Sequence, residues 1–395
     1  MKNTSRFSLF SFAFLFLFFM SCSGDQGTKN PAPSHDHASG ESHEGHNHDG
    51  ESHEGHNHAK AAPKMTDLVY ENEKHFKNVL QLTNGGDNAE AYWSFDNSKL
   101  VFQATNKAWG AECDQIFYMN ADGSNKENPP MISTGQGRTT CSYFMPGDKS
   151  IIYASTHNKD AACPSAPRSK NGKYVWGIFP GFDIYIADLN GKILKQVTNE
   201  EGYDAEPTVS PDGKTIVFTS TRSGDLELYT MDINGENIKQ VTTALGYDGG
   251  AFFTPDSKQL IFRASRPTTD EEVKSYKELL KENVVQPTAM ELFICDVDGS
   301  NMKQITKLGG ANWAPYMHPS GKKVLFSTNH HSESGRQFNI FSINLDGTGL
   351  EQITFDNAFD AFPMFSPDGK KLAWSSNRNN GGTRDTNVFV AEWVE

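Results

Sequence analysis

The chain has 395 residues, a formal net charge of −13 and 36% hydrophobic residues. This acidic balance argues against binding to nucleic acid and against attraction to anionic membranes by charge. A chain of this length also exceeds what one ordinary single-core domain holds, which favours a repeated architecture.

The first 21 residues have the pattern of an export signal. Lys2 and Arg6 precede a run of apolar and hydroxyl residues at 7–20, which is too short for a comfortable membrane span. A secretory signal peptide over residues 1–21 is therefore predicted, and the folded part of the chain is expected outside the cytoplasm.

Cys22 directly follows a small residue, and this pair resembles the cleavage site of a bacterial lipoprotein signal. The resemblance implies that the mature chain begins at Cys22 and carries acyl chains, palmitate among them, that anchor it in a membrane. Ser23 follows the cysteine, which by resemblance to bacterial sorting signals favours the outer membrane, with the folded domain in the periplasm or on the cell surface. The alternative is an ordinary signal peptide with an incidental cysteine.

Residues 22–64 are predicted to form a disordered, histidine-rich tether. Gly, Ser, Asn, acidic residues and His dominate this stretch without apolar periodicity, so no core can form. Segment 41–50 recurs almost unchanged at 51–60, and its closely spaced imidazoles suit Zn, Ni or Cu(II). The candidate metal ligands are His43, His46, His48, His53, His56 and His58. Weak metal capture and a hydrated spacer are both open interpretations, and no required cofactor is predicted.

From residue 65 onward one pattern of strands and turns recurs six times. Its marks are a Gln-x-Thr triplet and a turn of the Ser-Pro-Asp-Gly-Lys type. The triplets begin at Gln81, Gln196, Gln240, Gln304 and Gln352, and the turns begin at Ser94, Met145, Ser210, Thr254, His318 and Ser366. The 44 residues from Gln196 to Gln240 match the about 40–45 residues of a four-stranded blade. Residues 65–395 are therefore predicted to form an all-β, six-bladed β-propeller.

The repeated block combines the Gln-x-Thr triplet, an acidic loop, the Ser-Pro-Asp-Gly-Lys turn, an apolar strand and an Asp-x-Asp-Gly turn. This block resembles the WD40-like repeat of the TolB β-propeller family, and the resemblance extends over residues 79–393. It implies a partner protein of the cell envelope that docks across one face of the propeller. It does not identify a ligand, because propellers of one fold serve many tasks.

Two blades are predicted to carry insertions between their second and third strands. The insertion in blade 4, residues 267–287, is expected to be a short helix, because Thr269 and Glu272 can form a capping box ahead of an apolar stripe. The insertion in blade 2, residues 158–181, is rich in Pro, Gly and Lys and is expected to be an ordered loop.

The two ends of the repeat region are expected to share one blade. Residues 387–393 form a third strand with no fourth strand after it, and residues 79–83 form a fourth strand with no blade before it. The N-terminal strand should therefore complete blade 6, which leaves no free sheet edge.

Four cysteines fall within the predicted propeller. Cys113, Cys141 and Cys163 belong to the first two blades and to one face, and export predicts a disulfide among them without indicating which pair. Cys295 lies in an apolar strand and is expected to be an inert buried thiol.

The face that carries both insertions is predicted to form a polar bowl. One ring of polar side chains precedes the innermost strands, and a largely basic ring follows the second strands. The candidate binding residues are Asn88, Thr139, Asp204, Asp248, Asn312, Asp360, Arg222, Arg266 and Arg378. Such a bowl suits a zwitterionic or anionic small ligand or a peptide terminus. The alternative is that these Asp and Arg side chains only bridge adjacent blades as paired charges.

One further position of the repeat differs between the two halves of the ring. The residues at this position, from blade 1 to blade 6, are Glu90, Cys141, Glu206, Gly250, Ala314 and Phe362. Repeats that serve only the fold have no need of such a difference, so the asymmetry indicates that this part of the bowl is used.

The favoured hypothesis is a monomeric, lipid-anchored binding module of the cell envelope rather than an enzyme. Its partner would be another envelope protein or a small polar ligand, and not nucleic acid. The competing hypothesis is a hydrolase or lyase acting on an oligosaccharide or small ester, with His157, His330 and Glu206 as candidate acid/base residues. A third hypothesis is metal capture through the tether. The Gly-x-Ser-x-Gly motif of many serine hydrolases does not occur in the sequence.

Overall fold

The computed structural model describes residues 65–165, 167, 169–357 and 359–395. The predicted signal peptide, Cys22 and the histidine-rich tether lie outside the described residues. Six β-sheets of three or four strands follow one another along the described chain. The inner strand of each sheet contacts the inner strands of its two neighbours, and the sixth contacts the first. This ring confirms the predicted all-β, six-bladed propeller.

The first part of the chain forms an entry segment and two blades. The entry segment contains β1 (Met65–Thr66), β2 (Val69–Tyr70) and β3 (Phe76–Gln81). Blade 1 contains β4 (Asp87–Trp93), β5 (Lys99–Thr105) and β6 (Gln115–Asn120), with a 3-10 turn at Lys107–Trp109. Blade 2 begins with β7 (Thr139–Phe144) and β8 (Ser150–Ser155). Its insertion contains β9 (Ser169–Lys170), β10 (Lys173–Tyr174) and β11 (Trp176–Gly177), and its outer strands are β12 (Asp183–Asp188) and β13 (Ile193–Gln196).

The remaining four blades follow in order. Blade 3 contains β14 (Asp204–Val209), β15 (Thr215–Ser220), β16 (Glu227–Asp232) and β17 (Lys239–Gln240). Blade 4 contains β18 (Asp248–Phe253), β19 (Gln259–Ser265), the helix α1 (Asp270–Lys281), β20 (Val284–Val285), β21 (Met290–Asp296) and β22 (Lys303–Gln304). Blade 5 contains β23 (Asn312–Met317), β24 (Lys323–Thr328), β25 (Asn339–Asn344) and β26 (Glu351–Gln352). Blade 6 contains β27 (Asp360–Phe365), β28 (Lys371–Ser376) and β29 (Asn387–Trp393).

The Gln-x-Thr triplet has a structural role that explains its recurrence. In blade 3 the Thr242 hydroxyl accepts the main-chain N–H of Leu228 at 2.8 Å, and the Gln240 amide donates to the Thr242 carbonyl at 2.8 Å. The same threonine contact recurs in blades 4, 5 and 6. The triplet therefore satisfies backbone groups where the short outer strand ends.

Both ends of the described chain meet in blade 6. Strand β3 pairs antiparallel with β29, with Gln81 opposite Phe389 and Leu80 opposite Val390. The outermost strand of the last blade thus comes from the N-terminal side, and the ring is held by the main-chain hydrogen bonds of an ordinary sheet edge.

Helix α1 lies where the blade 4 insertion was predicted to be helical, which confirms that prediction. Thr269 caps its first turn, and Thr269 and Glu272 form both hydrogen bonds of a capping box. Tyr276 and Leu279 are the buried residues of its inner face. Among the described residues, no helix is both long and apolar enough to cross a membrane.

Candidate functional site: the central cavity

A β-bulge interrupts the inner strand of every blade at the same place. The hydrogen-bond register shifts around one residue, and that residue adopts a positive φ. The bulge residues are Glu90 (φ 55°), Cys141 (43°), Glu206 (57°), Gly250 (58°), Ala314 (47°) and Phe362 (56°). Five of the six are not glycine, so each carries a steric cost of about 1–2 kcal/mol. This is the position whose asymmetry the sequence analysis singled out.

The six bulge residues together line one cavity of about 840 Å³ at the axis of the ring. Aromatic side chains from several blades form much of its wall. They include Tyr92, Trp176, Tyr203, Tyr247, Trp313 and Phe338. A mainly apolar cavity of this size with a few polar groups is typical of a ligand-binding site.

The two insertions meet above this cavity. Strand β11 of the blade 2 insertion pairs antiparallel with β20 of the blade 4 insertion, with Trp176 opposite Val285. The Trp176 ring packs 5.0 Å from the ring of Trp313, whose indole N–H donates to the Pro287 carbonyl at 3.0 Å. The blade 2 insertion thus contains short strands in addition to the ordered loop that was expected, because β20 supplies a partner for its backbone.

Arg263 distinguishes blade 4 from the other blades. It lies on the second strand of blade 4, directly across from the residue that precedes the bulge on the first strand. At this position the other blades have smaller, uncharged side chains. The equivalent residues are Gln103, Ala154, Thr219, Ser327 and Ser375. The bulge residue of the same blade is Gly250, and a Cβ atom there would lie 1.8 Å from Nη1 of Arg263. Gly250 therefore makes room for the guanidinium at the cavity wall.

Glu206 holds the Arg263 guanidinium in place. Its Oε1 accepts hydrogen bonds from Arg263 and from the Tyr247 hydroxyl (2.9 Å), and its Oε2 accepts from the Thr219 hydroxyl (2.7 Å) and the Gly250 N–H (2.9 Å). Burial alone would raise the pKa of Glu206, but Arg263 and these hydrogen bonds outweigh it and lower that pKa. Glu206 is therefore an ionised anchor with every lone pair engaged.

Glu90 differs from Glu206 because it has no charged hydrogen-bond partner. Its Oε2 accepts hydrogen bonds from the Cys141 thiol at 2.9 Å and from the Tyr92 hydroxyl at 3.1 Å, and both donors are uncharged. Burial raises the pKa of Glu90, and the negative charge of Glu206 raises it further. Burial and the two carboxylates also raise the pKa of Cys141, so this thiol is a weak nucleophile.

The nine predicted ring residues lie outside the cavity lining. Asp204, Asp248 and Asp360 are each almost fully buried and form ion pairs with Arg222, Arg266 and Arg378. Each of these pairs joins the first and second strands of one blade, whereas the sequence interpretation placed such pairs between adjacent blades. Asn88, Thr139 and Asn312 donate hydrogen bonds to main-chain carbonyls. These contacts engage the ionic groups and several donors of the nine residues within the framework of the propeller, while Oδ1 of Asn88 and Oδ1 of Asn312 are buried without a hydrogen-bond partner.

The three candidate acid/base residues are not brought together. Glu206 lines the cavity, but His157 packs on Tyr185 in blade 2 and His330 packs on Phe341 in blade 5, on the opposite side of the ring. Burial lowers the pKa of both histidines. Within the described part of the chain, no three His, Cys, Asp or Glu side chains are grouped so that they could hold a metal ion. The candidate metal ligands of the tether lie outside the described residues.

The disulfide left open by the sequence joins Cys113 to Cys163. It links the loop after β5 in blade 1 to the blade 2 insertion. Cys141 remains a free thiol in the cavity, and Cys295 is fully buried in the core, where burial raises its pKa to about 12.

Sequence reasoning named Gly250 at the asymmetric position but did not single out Arg263 or Trp176 as site residues. A signal for Arg263 was present, because a lone arginine interrupts the otherwise apolar strand β19. A buried charge in such a strand requires a partner, and that requirement points to a polar site. Trp176 carries no comparable signal, because its position depends on contact between two distant insertions.

Comparisons with known proteins agree with this architecture. The family model described as TolB beta propeller domain matches residues 180–278 and 283–386, which together exceed half of the chain. A search by sequence finds no significant match among curated proteins.

Solved structures share the fold at low sequence identity. A protein taken to be TolB from Agrobacterium tumefaciens is 18% identical with a TM-score of 0.52, over 78% of this chain and 91% of that one. TolB from Acinetobacter baumannii is 20% identical with a TM-score of 0.53, over 76% and 64% of the two chains. A gluconolactonase from Xanthomonas campestris is 12% identical with a TM-score of 0.50, over 81% and 91%. The repeats, the six-bladed ring and the family match together lead to one conclusion: the chain belongs to the TolB β-propeller family.

Proposed function

We propose that this protein is a binding module of the cell envelope that receives its ligand in the central cavity. The ligand is a small molecule or the end of a partner peptide, with an apolar body and a polar group. The observation that carries the proposal is the cavity of about 840 Å³, lined by the bulge residues of all six blades and by aromatic rings. Concave, mainly apolar sites with a few convergent polar groups are where proteins bind small ligands.

Binding is favoured over catalysis by the state of the polar groups in the cavity. Both oxygens of Glu206 already accept hydrogen bonds from protein donors, and burial raises the pKa of the Cys141 thiol. Neither group is therefore free to act as a base or nucleophile without first losing a partner.

One observation keeps a hydrolase or lyase as the second candidate. The surroundings of Glu90 raise its pKa, while those of Glu206 lower it, and such divergent carboxyls are a feature of acid/base pairs in enzymes. Turnover of a lactone or an oligosaccharide that is abolished by Glu90→Gln would support this candidate and displace the binding module.

The location at the envelope is proposed from the N-terminal sequence. Residues 1–21 would direct export, and acylation of Cys22 would anchor the tethered domain in the outer membrane. In cells fed labelled palmitate, the wild-type protein should carry the label and Cys22→Ala should not. Equal labelling of both would contradict the proposed anchor.

The binding proposal is tested by filling the cavity with a side chain that the same fold already accommodates. Phe362 occupies the bulge of blade 6 at the φ that Ala314 has in blade 5, to within 10°. Ala314→Phe should therefore fold and reduce the space inside the ring. Leu350→Phe, at an exposed residue outside the cavity lining, is the matched control.

The measurement is thermal melting of the purified protein with small amines, alcohols, carboxylates, sugars and short peptides. A ligand at a hundredfold excess over its dissociation constant stabilises the native state by about 2.7 kcal/mol. At least one ligand should raise the melting temperature of the wild type and of Leu350→Phe, and should lose that effect in Ala314→Phe. Equal shifts in all three proteins would place binding elsewhere and overturn the proposal.

A further inference from the structure

Two of the three arginines that line the central cavity form ion pairs, and the third, Arg336, is exposed and forms none among the described residues. Arg263 pairs with Glu206, and Arg138, at the cavity wall, pairs with Asp114. Glu90 has only the neutral Tyr92 hydroxyl and Cys141 thiol as hydrogen-bond partners, and among the described residues no Lys, Arg or His forms an ion pair with it. Glu90 is therefore a carboxyl group of the cavity without an ion-pair partner among the described residues. Burial raises its pKa, and a cation bound beside it would lower that pKa and stabilise the carboxylate.

The cavity already shows how it accommodates an organic cation. The Arg263 guanidinium carbon lies 4.8 Å from the centre of the Tyr247 ring and 5.4 Å from that of Trp176, and a carboxylate completes the site. Aromatic faces and a carboxylate are the two elements that stabilise organic cations in proteins. In this half of the cavity the protein supplies the cation itself.

The half of the cavity around Glu90 has the same two elements without a cation. The Tyr92 ring, whose hydroxyl binds Glu90, lies 5.7 Å from the ring of Phe252, and both line the cavity. Phe362 occupies the neighbouring bulge on one side of Glu90, and Cys141 occupies it on the other. Glu90 itself occupies the bulge of blade 1, with a φ of 55° like the bulge residues of the other blades, and this bulge places its side chain at the cavity.

We propose that the ligand of the central cavity carries an organic ammonium group, which pairs with Glu90 against the surrounding aromatic rings. This inference rests on the proposed function, because it names the chemistry of the ligand for the same cavity. Such a group occurs on small amines and at the N-terminus of a peptide, and both present the same positive charge on an apolar body.

An anionic ligand is the opposing possibility. The Nε atom of Arg263 is buried without a hydrogen-bond partner, so a carboxylate could use it. The charge of Arg263 is already balanced by Glu206, however, and an anion would also have to approach the unpaired Glu90. Next to Glu90 these contacts favour a cation, and the exposed guanidinium of Arg336 at the cavity lining is the feature that would favour an anion instead.

The test compares three probes that share a phenethyl-like body and differ in charge. Phenethylammonium, phenethyl alcohol and phenylacetate are titrated into the purified protein, and binding is followed by calorimetry and by the fluorescence of Trp176 and Trp313. The ammonium probe should bind about tenfold more tightly than the alcohol.

Two peptides then distinguish a small amine from a peptide N-terminus as the source of the ammonium group. Phe-Ala-Ala with a free amine is compared with its N-acetylated form, and tighter binding of the free peptide than of phenethylammonium indicates a peptide terminus.

Two variants assign the preference to Glu90. Glu90→Gln keeps the shape and removes the charge, so the ammonium and alcohol probes should bind with equal affinity, within about twofold. Glu200→Gln, at an exposed residue, is the matched control and should retain the tenfold preference. Phe362→Leu should weaken the binding of the ammonium probe only. It provides a second variant in case Glu90→Gln does not fold.

The outcomes separate this inference from the proposed function. If phenylacetate or the alcohol binds most tightly and Ala314→Phe blocks it, the cavity is a binding site but the ligand is not a cation. If ammonium binding is unchanged in Glu90→Gln, the inference is also overturned. If none of the three probes binds while a ligand of the wider melting panel does and Ala314→Phe blocks it, the inference fails and the proposed function stands. If no ligand of either set binds, both fail.

Discussion

The residues of blade 4 show how one repeat of a symmetric ring acquires a distinct role. Gly250 lacks the side chain that the other bulges carry, and Arg263 fills the space that this leaves. The guanidinium then reaches across to Glu206 of blade 3, so two departures from the repeat depend on each other. A side chain added at Gly250 should therefore displace Arg263, and loss of the Arg263 guanidinium should leave unfilled space beside Gly250.

Gly250→Ala should cost about 2–4 kcal/mol of the free energy of unfolding. The new Cβ carries the penalty of a positive φ and also displaces Arg263 from its buried carboxylate partner. Gly224→Ala is the matched control, because Gly224 has a φ of 91° with no atom within 4 Å of the added carbon. That variant should lose only about 1 kcal/mol. Equal losses for the two variants in urea unfolding would show that Arg263 is not held as described.

A second residue-scale feature lies between blades 3 and 4. The Glu227 and Asp248 carboxyls are both buried and close enough to interact, and burial together with their mutual repulsion favours a proton on one of them. Burial raises the pKa of Glu227 to about 8 and that of Asp248 to about 6. Because both pKa values are raised above those of the unfolded chain, the folded state binds more protons between about pH 4 and pH 8, and stability falls as the pH rises through this range.

Glu227→Gln should remove much of this pH dependence. The amide can donate to Asp248 at every pH, as Asn339 does to Asp360 at the equivalent interface of blades 5 and 6. The variant should therefore be more stable than the wild type at pH 8, on the order of 1–3 kcal/mol, and nearly equal at pH 5. Thermal or urea unfolding at the two pH values measures the difference. An unchanged slope in the variant would contradict the shared proton.

At the scale of elements, the structures of the two insertions could be predicted from the sequence to different extents. Helix α1 could be predicted because its capping box and apolar stripe are local signals. The pairing of β11 with β20 could not, because it joins two-residue strands more than 100 positions apart, and neither strand has a periodic pattern. The cavity wall at Trp176 follows from this pairing, so this part of the site was also beyond sequence reasoning.

The disulfide should be the main contact that stabilises the first half of the blade 2 insertion. Cys113 and Cys163 close a loop with a sequence separation of 50 residues, for which the chain-entropy model gives about 4 kcal/mol. Replacement of both residues by Ser should lower the free energy of unfolding by about 2–4 kcal/mol. Cys141→Ser, which keeps a hydrogen-bond donor next to Glu90, should change it by less than about 1 kcal/mol. Similar losses for both proteins would show that the disulfide does not brace the insertion.

At the scale of the whole molecule, the repeats account for the success of the fold prediction. Apart from the two insertions and the aromatic rings that meet at the axis, the strands of each blade contact those of its neighbours, so a pattern that recurs six times specifies the ring without knowledge of distant contacts. The same regularity favoured framework residues as binding candidates, and the irregular bulge position was the part of the pattern that pointed to the cavity. The most regular polar residues, such as Asp204 and Arg222, pair within a blade, and the cavity depends on the positions where the repeat is broken.

The N-terminal entry segment adds a buried ion pair to the strand pairing that closes the ring. Arg378 of blade 6 is fully buried and binds both oxygens of Glu73 as well as Asp360. Glu73→Ala should therefore cost about 2–3 kcal/mol through the loss of charge-assisted hydrogen bonds. Glu71→Ala, at an exposed neighbour, should cost less than about 0.5 kcal/mol. Equal stability of the two variants in urea unfolding would mean that the segment adds nothing to closure.

The claim that the ring binds a ligand at its axis is tested most directly by a crystal structure of the protein soaked with the probe that raises its melting temperature most. We expect electron density for that probe inside the cavity lined by the six bulge residues, with a polar group within hydrogen-bonding distance of Glu90. Density for the probe only on the outer surface of the propeller, with the cavity free of it, would contradict the account.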